Sequence, residues 1–123
     1  MSAWKKKAIE LFPNLKSDIE ISDSVTEVWW LIGEKLIEAF STNNLSYIKS
    51  VKQYIAWCSN SGNDSAYQAL HCGFYEDLGT NKLFWPYIHQ LVNQQQFEKL
   101  KNLWKHCLSE DKINEIEGIF NDR

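Results

Sequence analysis

The chain has 123 residues, 44% of them apolar and 24% charged, which excludes a disordered or low-complexity segment and is enough to bury a core without disulfide or metal staples. The net charge is −3 and the only arginine is the last residue, Arg123. Direct nucleic-acid binding is therefore not expected, because it needs a basic patch and planar guanidinium forks, and Lys5–Lys7 is the only basic run. Three cysteines, Cys58, Cys72 and Cys107, are an odd number and fall within predicted helices, so a reducing, cytoplasmic setting is expected rather than a disulfide framework. The opening MSAWKKKAIELF lacks an apolar run behind its lysines, and no segment has the length to cross a bilayer, so neither a signal peptide nor a membrane span is expected.

Residues 3–12 read as a short helix, with Trp4, Ala8, Leu11 and Phe12 inward and Pro13 as its stop. The stretch NLKSDIEISD that follows is a connector or a further helical turn, and its pattern leaves both open. Ser24-Val25-Thr26-Glu27 is a capping box, predicting a helix from Ser24 to about Ser41. Val25, Val28, Trp29, Ile32, Leu36 and Phe40 form its core stripe, and Trp30, Leu31 and Ile37 widen it.

Residues 44–78 are the organising unit, two amphipathic helices joined by SNSGND. The first places Tyr47, Ile48, Val51, Ile55 and Cys58 on one face, and the second places Ala66, Ala69, Leu70, Gly73 and Phe74. Gly62 is the expected stop and Asp64 the expected start of the second helix. Gly73 on the buried face is expected to permit a close helix crossing. Gly79 is a candidate C′ residue, and Thr80-Asn81 can cap the next helix, which holds Leu83 to Val92 and tolerates Pro86 in its early positions. Phe97 to Leu108 marks another helix, and Ser109 caps a last one with Ile113, Ile116 and Phe120 inward.

No alternating strand pattern bounded by hairpin turns appears. The expectation is an all-α fold, one domain over residues 1–123, with about six helices paired as antiparallel hairpins. The pairing suggests a repeat-like layout, although no motif recurs at a fixed period.

His71-Cys72, His106-Cys107, His89 and Cys58 lack the CxxC or HxxxH spacing of zinc sites, and no activating signature surrounds any cysteine. No phosphate loop or nucleophile elbow is present. Neither a cofactor nor a metal is expected, and the reading is of a non-enzyme. Charge is the stronger signal. Asp18, Glu20, Asp23, Glu27, Glu34 and Glu38 face one base, Lys35, and Glu76-Asp77 ends the hairpin beside Tyr75. Such acids are either ordinary solvated helix surface or a face for a basic partner, steered by charge and anchored by an aromatic ring. Adjacent Trp29 and Trp30 cannot both enter one core, so one ring is expected in a second interface or partly exposed.

Two stretches carry a resemblance. KKAIELFPNLKSDIE is similar to the opening of a family of small helical bacterial proteins, and SNSGNDSAYQALHCGFYEDL resembles that family's later hairpin. Proteins of this look occur among the immunity proteins of polymorphic-toxin and contact-dependent growth inhibition systems. The resemblance implies a cytoplasmic monomer that binds one cognate toxin domain, often a basic nuclease, one to one and blocks its active site. On that reading Asp18, Glu20, Asp23, Glu27, Glu34 and Glu38 supply charge, with Trp30 and Tyr75 as anchors and Glu76-Asp77 as a second acidic group. The alternative is a helical-repeat-like scaffold that binds protein without neutralising a toxin.

Overall fold

The computed structural model describes residues 1–122 and is all-helical, with no strand among them. Among the described residues there are eight α-helices rather than about six. They are α1 (Ala3–Leu11), α2 (Lys16–Glu20), α3 (Val25–Ser41), α4 (Leu45–Asn60), α5 (Asp64–Ala69), α6 (Tyr75–Thr80), α7 (Gln94–Trp104) and α8 (Glu110–Asn121). Two local events raise the number. The undecided connector folds as a 3-10 turn, Pro13–Leu15, followed by α2, which buries Leu15 and Ile19. The second helix of the predicted hairpin is divided by a π-helical turn, Leu70–Phe74, into α5 and α6. Contacts group the chain into two compact units, Met1–Phe74 and Tyr75 onward.

In the first unit α3 packs against α4, α5 and the π turn, with α1 and α2 also against it. Its start obeys the capping logic with one change. Ser24 Oγ accepts the N–H of Glu27 at 3.3 Å, but Glu27 Oε2 accepts the N–H of Asp23 at 2.8 Å rather than that of the cap residue itself. Trp29 is the centre of the core. Its ring stacks on Phe74 at 4.3 Å and tilts against Tyr54 at 5.0 Å, contacts that add about 0.5–1.5 kcal/mol per pair beyond area burial. Tyr54 and Tyr47 are buried bodies with polar tips, each donating its hydroxyl to a carbonyl: Tyr54 to Trp4 at 3.1 Å and Tyr47 to Ile32 at 2.8 Å. The Trp29 indole N–H is buried with no conventional hydrogen-bond partner. The soft sulfur of Cys58 is the weak acceptor set against it.

The hairpin between α4 and α5 turns where expected, at Gly62 with φ +78°. The cap of α5 is Asn63, whose side chain accepts the N–H of Ala66 at 3.0 Å; Asp64 is already the first helical residue. Gly73 is not the close crossing: a Cβ there would lie 3.7 Å from Thr26 Cγ2, an ordinary contact.

The second unit is built on α6, a 3-10 helix over Lys82–Gln90, α7 and α8. Pro86 lies inside the 3-10 helix, where an α-helix was expected. Proline lacks the N–H for an i−4 bond and its ring crowds the carbonyl four residues back, so the tighter winding is the local solution. Asn81 caps it, accepting the N–H of Leu83. Gly79 is not a helix stop but a buried residue within α6. Its carbonyl accepts the Trp85 indole at 2.8 Å, and the Trp104 indole lies over its Cα while donating to the Tyr75 carbonyl at 2.9 Å. Phe97 of α7 stacks on Phe120 of α8 at 4.0 Å, and Lys101 pairs with Glu98 at 3.0 Å and with Glu117 of α8. The capping residue Ser109 accepts the N–H of Lys112 as expected, and α8 runs on past Gly118 to Asn121.

Two measurements test this packing. A Cβ on Gly79 would sit 2.5 Å from Trp104 Nε1, inside a ring with no exposed surface into which to move, whereas a Cβ on Gly118 meets nothing within 4 Å. Gly79→Ala is expected to destabilise by about 1–3 kcal/mol and Gly118→Ala to stabilise by up to about 1 kcal/mol in urea unfolding. Alkaline stability is the second. Burial pushes the Cys58 thiol up to about 12, with the Trp29 and Tyr54 donors partly offsetting it, and burial also raises both Tyr54 and Tyr47 well above the usual phenol range. Folded values above unfolded ones favour the neutral forms, so this stability is complete below about pH 8.5 and is lost as pH rises towards the folded values. The Tm is expected to fall across that window, and Tyr54→Phe, lower at neutral pH for want of its hydroxyl bond, is expected to show a flatter decline.

Candidate functional site

The outer face of α3 gathers the predicted charge. At roughly 100° per residue, Glu27, Glu34 and Glu38 fall within about 40° of one another and make a ridge about 16 Å long, with Trp30 on its flank. The structure leaves this face to solvent. Trp30 is 57% exposed, Glu34 and Glu38 are exposed and Glu27 is half-buried. The paired tryptophans divide as expected, Trp29 inward and Trp30 outward. An indole body with a polar N–H tip, presented to water, offers large contact area at little cost in side-chain entropy.

Electrostatically the ridge is unbalanced. Among the described residues, no Lys nitrogen lies within 4.0 Å of the carboxylates of Asp18, Asp23, Glu27, Glu34 or Glu38. Glu20 differs: its carboxylate is 3.8 Å from Lys16, and its backbone carbonyl accepts Lys5 Nζ at 2.8 Å. Asp18 sits exposed in the first turn of α2, where the helix dipole favours it. Asp23 is exposed just before the α3 cap. One Glu27 oxygen is committed to the Asp23 N–H. Glu38 spends its backbone carbonyl on the hydroxyls of Ser41 and Thr42, leaving its side chain outward.

The second acidic group belongs to the other unit and changes character there. Tyr75 is 8% exposed, and its carbonyl accepts the Trp104 indole. Its ring is therefore not a surface anchor, because the first turn of α6 faces inward at this position. Glu76 is half-buried and Asp77 exposed. Partial desolvation, and then the neighbouring Glu76 charge, hold the Asp77 carboxyl above its ordinary value.

No group of three or more His, Cys, Asp or Glu able to hold a metal occurs among the described residues. Cys58 is buried, while Cys72 and Cys107 are exposed free thiols. Cys72 lines a cavity of about 390 Å³ with Trp4, Asp23, Ser24, Ser65 and Gln68. Its thiol lies 3.7 Å from Gln68 Oε1, a neutral amide rather than a base. His71 stacks on Tyr67 at 4.1 Å, with Nδ1 3.0 Å from the Tyr67 carbonyl, a pairing along one helical face. Partial burial and the Glu76 charge raise the Cys107 thiol, which makes it a poorer nucleophile.

Two features escape the sequence reading. Gly33, half-buried, lies three residues after Trp30 on the flank of α3 that also carries Ile37; its spacing was the available signal. The bridge that Lys101 makes between Glu98 and Glu117, beside a cavity of about 490 Å³, was not legible because Glu117 comes from another helix, α8. Among the described residues no helix is long and apolar enough to cross a membrane.

No curated protein and no solved structure matches the chain. A family model described as "Domain of unknown function (DUF7674)" matches residues 6–105, which takes in most of α1, all of α2 to α7 and the whole ridge on α3, and leaves out α8. That match spans most of the chain, which therefore belongs to the DUF7674 family.

Proposed function

We propose that this chain is an immunity protein that binds and neutralises a cognate toxin domain, a basic nuclease, by laying the acidic face of α3 over its active site. The observation that carries the reading is the half-exposed Trp30 beside three carboxylates, Glu27, Glu34 and Glu38, that have no cation partner among the described residues. A large indole in water costs free energy that a partner would recover. Uncompensated carboxylates steer a cationic surface into contact and reject an anionic one.

A nuclease fits this chemistry because an active site that binds a polyanion is lined with cations. Occlusion needs no catalytic group on the inhibitor, which acts as a monomer in a one-to-one complex in the cytoplasm, without cofactor, nucleic acid or membrane. Asp18 and Asp23 extend the field at one end of the ridge, Trp30 supplies the anchor, and Tyr75 has no part in it. Glu76 and Asp77 are a secondary acidic group.

The test is capture of the partner from the native cells on the tagged protein, followed by assay of the released polypeptide for nuclease activity and growth arrest. The expected result is one stoichiometric basic domain, released at high salt and inhibited by re-addition of the protein. Glu27→Gln/Glu34→Gln/Glu38→Gln should lower the association rate about tenfold or more at low salt, and the difference should shrink as ionic strength rises. A captured partner without toxicity, or one bound equally well by the triple variant at every salt concentration, would leave a protein-binding scaffold in place of an immunity protein.

A further inference from the structure

The flank of α3 that carries Trp30 also has the shape of a helix seat. Trp30, Gly33 and Ile37 are spaced i, i+3 and i+7, the spacing by which one helix presents a seam to another. Gly33 contributes no side chain between the indole and the Ile37 side chain. Trp30 is 57% exposed, and Gly33 and Ile37 beside it are half-buried. Glu27 and Glu34, seven residues apart, border it at the position that flanks a heptad seam.

We infer that this face seats a basic amphipathic helix of the partner. An apolar side chain of that helix packs against the exposed Trp30 indole beside Gly33, and Lys or Arg side chains one heptad apart meet Glu27 and Glu34. The inference rests on the protein-binding reading above and specifies the partner's contacting element. Charge complementarity identifies the occupant, since neither carboxylate has a lysine within 4.0 Å among the described residues. Register favours a helix over a strand. The rise from Glu27 to Glu34 is about 10.5 Å, which equals one heptad of a partner helix running alongside. One face of a strand repeats at about 6.8 Å, so its cations would meet one carboxylate and miss the other.

The test uses the full chain, labelled with nitrogen-15, titrated with a 21-residue model peptide carrying Leu at the seam positions and Lys at the flanking ones. A second peptide of the same charge has two central residues replaced by proline, which prevents a helix. The expected result is binding of the helical peptide about tenfold tighter than the interrupted one, with shifts at the Trp30 indole and the Gly33 amide. Trp30→Ala and Glu34→Gln should each weaken it while the circular dichroism spectrum and Tm stay unchanged, because both side chains are exposed. Equal binding of both peptides overturns the helix seat while leaving the charge-steered reading intact. Binding that perturbs neither Trp30 nor Gly33, or no binding at all, also overturns the seat, and the capture experiment above then decides the broader reading separately.

Discussion

The 100° step between successive residues of an α-helix forces Trp29 and Trp30 in different directions, and the first unit depends on which of them goes inward. Trp29 stacks on Phe74 and against Tyr54, so its ring joins α3 to the π turn and to α4. With that ring fixed, the rotation of α3 about its axis is fixed as well. Val28, Ile32 and Leu36 follow it into the core, and Trp30, Glu34 and Glu38 are left outside. The acidic face is thus a consequence of core packing: turning it inward would bury carboxylates that have no cation to meet them.

The second unit is held by a different device. Tryptophan indoles there act as donors to backbone carbonyls as well as apolar bodies. Trp85 donates to Gly79, one of the last carbonyls of α6, which has no partner within its own helix. Trp104 donates to Tyr75 and lies so close to Gly79 that no side chain fits between them. A buried ring and an otherwise orphaned backbone acceptor satisfy each other, and the glycine makes the approach sterically possible. Lys101 adds a tie between α7 and α8 on the partly exposed side, where its worth is small because solvent screens it.

The interior of the first unit follows the same rule for polar groups. Tyr47 and Tyr54 carry hydroxyls into the core and give each a carbonyl acceptor. Trp29 has no such acceptor and faces the sulfur of Cys58 instead. Burial then keeps Cys58 a thiol, which removes it from any nucleophilic role and makes it part of the packing.

The amino-acid sequence by itself determined the helices, most of their ends and the amphipathic face of each, because periodicity, caps and breakers act within a few residues. Ser24, Asn63, Asn81 and Ser109 accept their N–H groups through local geometry alone. It also determined that Trp29 and Trp30 must part, and that the acids of α3 share a stripe. Only tertiary structure decided that Tyr75 turned inward, that Gly79 rather than Gly73 was the close approach, and that the helix after Asn63 took a π turn. Those outcomes depend on partners far along the chain, such as Trp104 against Gly79, twenty-five residues apart. Local pattern shows that a residue is apolar or small, whereas packing decides what it meets.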